Sequence, residues 1–212
     1  MTKKLIDHTI EEFASELASS SPAPGGGSVG ALCGVLAAGL VSMVASLTVG
    51  KEKYAAVEEN MQQLINNAEK LRKELQVLVD KDAEAFNGFM AAMKLPKETT
   101  EEKIKRSQAM QEALRNSCVV PLRIAELTLE IANLAAIAAE EGNSNAVTDA
   151  GVAARLCEAA FFAGSYNVRV NLLSLKDEGF KESATDKLSK WQKELKIKLI
   201  PVYNHCENEL AL

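Results

Sequence analysis

VEENMQQLINNAEKLRKELQVLVDKDAEAFNGF, residues 57–89, places apolar residues at Val57, Met61, Leu64, Ala68, Leu71, Leu75 and Leu78, and again at Ala85 and Phe89. The steps alternate between four and three without a slip. That is the spacing of a helix that turns one continuous seam toward other helices. Asp82 falls where the next apolar residue of the seam belongs, and it is the one charged residue on it. A carboxylate on a core seam is costly unless it is paired, hydrogen-bonded or protonated. Asp82 is therefore either a structural group, capping a neighbouring helix or pairing with an arginine, or a titratable group placed for chemistry. Asp80 and Glu84 point elsewhere on the helix and read as solvated face. Because Asp82 faces away from them, DKDAE does not have the spacing of a metal site.

The rest of the chain has the same character. Of its 212 residues 47% are hydrophobic and only 5% aromatic, and Ala and Leu dominate the apolar set, which favours helices over sheets. Thr9-x-x-Glu12 is a capping box, followed by Ile10, Phe13, Ala14 and Leu17 on one face. A Pro/Gly loop interrupts at residues 21–27, and Ser28 is placed to cap a second helix running to about Val49. A long helix follows from about Tyr54 to Lys94, stopped by Pro96. Thr99-x-x-Glu102 opens the next, which Pro121 kinks or restarts and which ends near Gly142-Asn143. A helix from Ser144 or Thr148 to about Leu175, and a last one carrying Leu188, Trp191, Leu195, Leu199 and Val202, complete the pattern. No segment alternates like a strand. The expected fold is all-α, a single-domain multi-helix bundle with a long central helix, spanning residues 1–212.

Composition excludes several functions. The net charge is −5, with both signs spread along the chain and no basic stripe, so neither nucleic acid nor an anionic membrane is an expected partner. Cys33, Cys118, Cys157 and Cys206 are far apart and sit in apolar helical patterns, as reduced core thiols do. The start, Met1-Thr2-Lys3-Lys4, lacks the apolar run of a signal peptide, and a cytoplasmic location is expected. Val29 to Val49 carries no charge, but its Gly, Ala, Ser and Val content suits a central buried helix better than a membrane span. His8 and His205 are the only histidines and neither sits in a motif. No metal site and no Ser-His-Asp triad is expected.

Two further features bear on a site. In SSPAPGGGSVGAL, the Gly25-Gly26-Gly27 run after Pro24 lets backbone approach a ligand closely, and the following helix offers free N–H groups. Taken alone, three glycines are more simply a plain turn, and the spacing is not that of a P-loop. Gly30 and Gly34 give the same helix a smooth face for tight packing, as across a subunit contact. In AFFAGSYNVRVN, Asn167 and Asn171 lie four apart on one face, with Ala160 and Gly164 before them and Asp149 at the head of the stripe. They either line a pocket or bond another helix.

PAPGGGSVGAL, SLTVGKEKY, DKDAEAFNGFMAAMKLPKETTEEK, GNSNAVTDAGVAA and GSYNVRVN, in that order over nearly the whole chain, resemble the formiminotetrahydrofolate cyclodeaminase and methenyltetrahydrofolate cyclohydrolase family. The resemblance implies an all-helical homodimer or larger assembly with a folate, of the mono- or polyglutamylated form, bound between helices near a subunit interface. It implies no cofactor beyond the tetrahydrofolate substrate. The family's catalytic acid falls on Asp82. PAPGGGS would then wall the folate site, with Pro24, Gly25, Gly26, Gly27, Asp149, Asn167 and Asn171 as binding candidates. Lys51, Lys53 and Arg106 are candidate partners for the glutamate tail, and Tyr54 or Phe86 for stacking on the pterin; surface charge and core packing are the plainer roles for these residues. Cyclodeamination is the favoured activity, cyclohydrolysis the alternative, and a non-enzymatic helical carrier or assembly subunit the alternative of another class.

Overall fold

The computed structural model describes residues 3–211; Met1, Thr2 and Leu212, which the sequence reading counts within the domain, lie outside the described residues. Those described form one domain of six α-helices and contain no strand: α1 (Ile10–Leu17), α2 (Gly26–Ser46), α3 (Glu58–Met93), α4 (Thr100–Glu141), α5 (Val147–Leu172) and α6 (Glu178–Glu209).

Both expected capping boxes close. Thr9 Oγ1 accepts from the Glu12 N–H at 3.1 Å while the Glu12 carboxylate accepts from the Thr9 N–H at 2.7 Å. Thr99 and Glu102 do the same at the start of α4, at 3.2 and 3.0 Å. These side chains satisfy N–H groups that the first turn cannot pair.

The α3 seam is buried as its spacing predicts: Met61, Leu64, Ala68, Leu71, Leu75 and Leu78 are all in the core. The helix begins later than expected. A 3-10 turn covers Glu52–Val57, and Tyr54 leaves helical geometry at φ −113° and ψ 15°. Asp80 is not mere solvated face. Its carboxylate accepts from the Leu5 N–H at 2.7 Å and the Ile6 N–H at 3.4 Å, which pins the N-terminal segment to α3. Its partners stand about seventy residues away in sequence, beyond the reach of local pattern.

α2 is apolar and long enough to span a membrane, yet it packs against α3, α4 and α5. Its glycines explain the close fit. A Cβ on Gly30 would stand 2.7 Å from Ala163 Cβ on α5, and one on Gly34 would stand 2.9 Å from Leu75 Cδ1 on α3. The smooth face is thus used inside the chain, which corrects the expectation that it serves a subunit contact. Ser28 is corrected too. The helix starts at Gly26 with Gly25 as N-cap and no side-chain cap, so Ser28 lies inside the first turn.

Pro121 does not restart α4, which runs unbroken across it. The expected end of α5 at Leu175 is also moved, to Leu172. At the far end of α2, Thr48 Oγ1 donates to Val44 O at 2.7 Å and accepts from the Asn143 N–H at 2.8 Å, and Asn143 Nδ2 donates to Leu47 O at 3.1 Å. SLTVGKEKY and GNSNAVTDA therefore meet as a tie between helix ends. All four thiols are free. Burial pushes Cys118 up to about 11 and raises the other three, so none is a ready nucleophile.

Candidate active site

Asp82 stands where the N-terminus of α2 meets the C-terminal half of α3. Ser28, fully buried, donates its hydroxyl to Asp82 Oδ2 at 3.1 Å. Gly27 explains how the carboxylate gets so close: a Cβ there would lie 2.1 Å from Oδ1 and 2.6 Å from Oδ2. Only a residue with no side chain admits Asp82 at this spot. Burial is the largest influence on the carboxyl and raises its pKa above the ordinary 3.8; the Ser28 hydroxyl and main-chain bonds pull the other way and only moderate the rise. No arginine or lysine pairs with Asp82 among the described ion pairs. The ion-pair form of the structural reading is therefore absent among the described residues, while the capping form is met in part, since Asp82 accepts from Ser28 in the first turn of α2.

The carboxyl opens on a cavity of about 330 Å³ lined by Pro22, Ala23, Gly25, Gly26, Phe86, Phe89, Ser117, Asn167 and Asn171, among others. Its volume is at the lower end of small-molecule sites, and its lining is mostly apolar with a few convergent polar groups, as such sites are. Asn167 Nδ2 donates to Ala163 O at 2.8 Å, one helical turn back. Asn171 Nδ2 donates to Asn167 O and to Ser117 O, each at 2.9 Å. The two open alternatives for this pair are both realised: the amides bond main chain, one of them across to α4, and they line the cavity.

The structure thus brings together Gly25, Gly26, Asp82, Asn167 and Asn171, with Gly27 against the carboxylate and Pro24 buried beside the loop. Phe86, the second stacking candidate, is in the lining. Ser28, Ser117 and Phe89 belong to the site and were not singled out. Ser28 was hidden because a serine ahead of a helix reads as a cap. Ser117 lay inside an ordinary helical run.

Lys51, Tyr54, Arg106 and Asp149 do not line this cavity. Arg106 donates to Met93 O at 3.1 Å and secures the end of α3. Tyr54 OH pairs with Ser144 Oγ at 3.2 Å and accepts from the Ser144 N–H at 3.0 Å. Those bonds, with Lys53 nearby, lower the phenol to about 8. Lys51 precedes the same 3-10 turn and Asp149 sits in the first turn of α5. They lie beyond the C-terminal end of α2, whose 21 residues rise about 30 Å from the Asp82 end.

Residues 9–190 match the formiminotransferase-cyclodeaminase family. The chain belongs to that family. It is 43% identical over 182 residues to a methenyltetrahydrofolate cyclohydrolase of Methylorubrum extorquens, covering 86% of this chain and 88% of that one. It is 36% identical over 205 residues to the formimidoyltransferase-cyclodeaminase of Rattus norvegicus, and these span 97% of this chain but only 38% of the rat protein. Its fold superimposes on the crystal structure of a formiminotetrahydrofolate cyclodeaminase from Thermotoga maritima with a TM-score of 0.82 at 31% identity, covering 96% of both chains. The Thermotoga structure shares the bundle over nearly its whole length, so the family carries this helix arrangement without the added length of the rat protein.

Proposed function

We propose that this chain is a folate one-carbon enzyme that works on the N5/N10 bridge of tetrahydrofolate, with Asp82 as its proton-transferring group. The observation that carries the reading is one carboxyl of raised pKa, paired with no cation among the described residues, opening on a cavity of about 330 Å³. A carboxyl whose proton is held more tightly than usual, facing a cavity, is a candidate proton donor and acceptor for acid–base catalysis.

The first reaction is cyclodeamination of 5-formimino-tetrahydrofolate. N10 attacks the formimino carbon and gives up its proton, the bond from that carbon to the imino nitrogen breaks, and ammonia leaves carrying a proton. The substrate enters with its formimino group protonated (CH=NH2+); Asp82 passes one proton from N10 to the NH2 group, which leaves as NH3 and gives the cationic methenyl bridge. The second reading is cyclohydrolysis of the methenyl bridge, favoured by the 43% identity to the Methylorubrum protein. There Asp82 accepts a proton from the attacking water and returns it to N5 as the bridge opens, and the hydroxyl on the bridging carbon loses its own proton to solvent as the formyl group forms. Purified protein given each substrate in parallel decides between them. Ammonia released with the rise of methenyl absorbance supports the first; fast loss of that absorbance without ammonia supports the second. Spontaneous rates in both assays would overturn the function.

The working unit we infer is a homodimer across α2. Leu32, Leu36, Leu40, Met43 and Leu47 form a stripe at helical spacing on its outer side, with Leu36 52% exposed. Gly39 in mid-stripe has nothing within 4 Å of where a Cβ would stand, room for a second helix. Two antiparallel copies of α2 crossing there would set the partner's Lys51 and Tyr54 near the Asp82 end, which accounts for those residues lying outside the cavity of their own chain. Leu36→Lys should weaken dimerisation by at least about 100-fold, because a charge is driven into an apolar seam. Sedimentation at matched concentrations checks it, and a wild type that runs as a monomer contradicts the dimer.

A further inference from the structure

Pro121 sits deep inside α4, where it has no N–H to give the carbonyl one turn earlier. That carbonyl belongs to Ser117, and Asn171 Nδ2 of α5 takes it at 2.9 Å. The same nitrogen donates to Asn167 O at 2.9 Å, so both amide hydrogens are committed. A primary amide with both hydrogens bound cannot turn over without losing two bonds, and its oxygen is left as a fixed acceptor. The helices also approach closely beside the proline. A Cβ on Gly164 would stand 2.7 Å from Pro121 O and 3.3 Å from Ala125 N. This contact brings Asn171 within reach of α4, at the cavity that Asp82 shares with Ser117 and Asn171.

We propose that Pro121 is a positioning residue: by leaving the Ser117 carbonyl open it locks the Asn171 side chain with Oδ1 as a hydrogen-bond acceptor for the N–H edge of a tetrahydropterin. The pterin ring carries such donors at its 2-amino group, N3 and N8. Asn171 thereby selects for that edge against ligands that present acceptors there. The inference rests on the folate reading given above. A purely structural role for Pro121 would leave ligand binding untouched, because a proline is a poor choice for helix stability.

Pro121→Ala restores an N–H that can pair with Ser117 O inside α4 and so competes with Asn171. The melting temperature should hold or rise, while the Kd for tetrahydrofolate, read by calorimetry, rises about tenfold, the loss of one well-formed hydrogen bond. The pH dependence of kcat should stay as in the wild type while KM rises. Asn171→Asp keeps acceptor oxygens but cannot donate to either carbonyl, and should bind tetrahydrofolate at least as poorly as Pro121→Ala. The double variant should be no worse than the weaker single one, since both act through one lock. Wild-type affinity in Pro121→Ala, wild-type affinity in Asn171→Asp, or effects that add in the double variant would each overturn the proposal. A wild type that does not bind tetrahydrofolate would instead overturn the folate reading beneath it.

Discussion

Gly27→Ala should lose at least about 100-fold in turnover while the protein stays folded, since a misplacement of about 1 Å at a catalytic group costs this much. The new Cβ would stand 2.1 Å from Asp82 Oδ1 and 2.5 Å from Cγ. One of the two must move. The α2 backbone at this point is fixed by packing on α3 and α5, whereas the carboxyl is the far end of a side chain, so Asp82 yields. The helix itself gains by about 1 kcal/mol from exchanging Gly for Ala. That gain offsets the loss of the Ser28 hydrogen bond to Asp82, also about 1 kcal/mol. Thermal melting should therefore shift little while kcat collapses. Wild-type turnover in Gly27→Ala would mean that the close approach of Gly27 and Asp82 has no part in the chemistry.

Asp82→Asn should retain the fold and lose about 10²–10⁴-fold in turnover, the usual share of a general acid or base. Its stability carries a second expectation with a definite sign. Burial raises the Asp82 pKa in the folded protein above its ordinary 3.8, so the folded state holds this proton more tightly than the unfolded chain. The contribution to stability is complete below 3.8 and is lost as pH rises through the folded value. Asparagine is neutral throughout and never meets that loss. At neutral pH the variant should be at least as stable as the wild type, and the difference should close as the pH falls toward 3.8. Urea midpoints across that range measure it. A variant less stable at neutral pH, with the gap closing in acid, would mark Asp82 as a structurally paired carboxylate.

The seam on α3 was legible because helical spacing is a local property, and the same spacing exposed Asp82 as the residue out of place on it. The capping boxes at Thr9 and Thr99 were legible for the same reason. What could not be read was partnership at a distance. Asp80 looks like surface until Leu5 and Ile6 arrive to bond it. Ser28 looks like a cap because sequence cannot show that α2 begins two residues earlier and turns the hydroxyl to Asp82. Pro121 reads as a helix breaker because its effect on Ser117 O is relieved from another helix. Tyr54 and Lys51 were joined to the site through motifs that resemble the family's, and motif order along a chain does not say at which end of α2 each motif lies.

The pH dependence of kcat/KM for the wild type on 5-formimino-tetrahydrofolate tests the role of Asp82 most directly, because that ratio reports ionisations of the free enzyme. The account predicts a rate that falls as pH rises through a single ionisation above 3.8, the signature of a buried carboxyl acting as an acid, and the loss of that ionisation in Asp82→Asn. A profile with no such ionisation, or one that Asp82→Asn leaves in place, would contradict it.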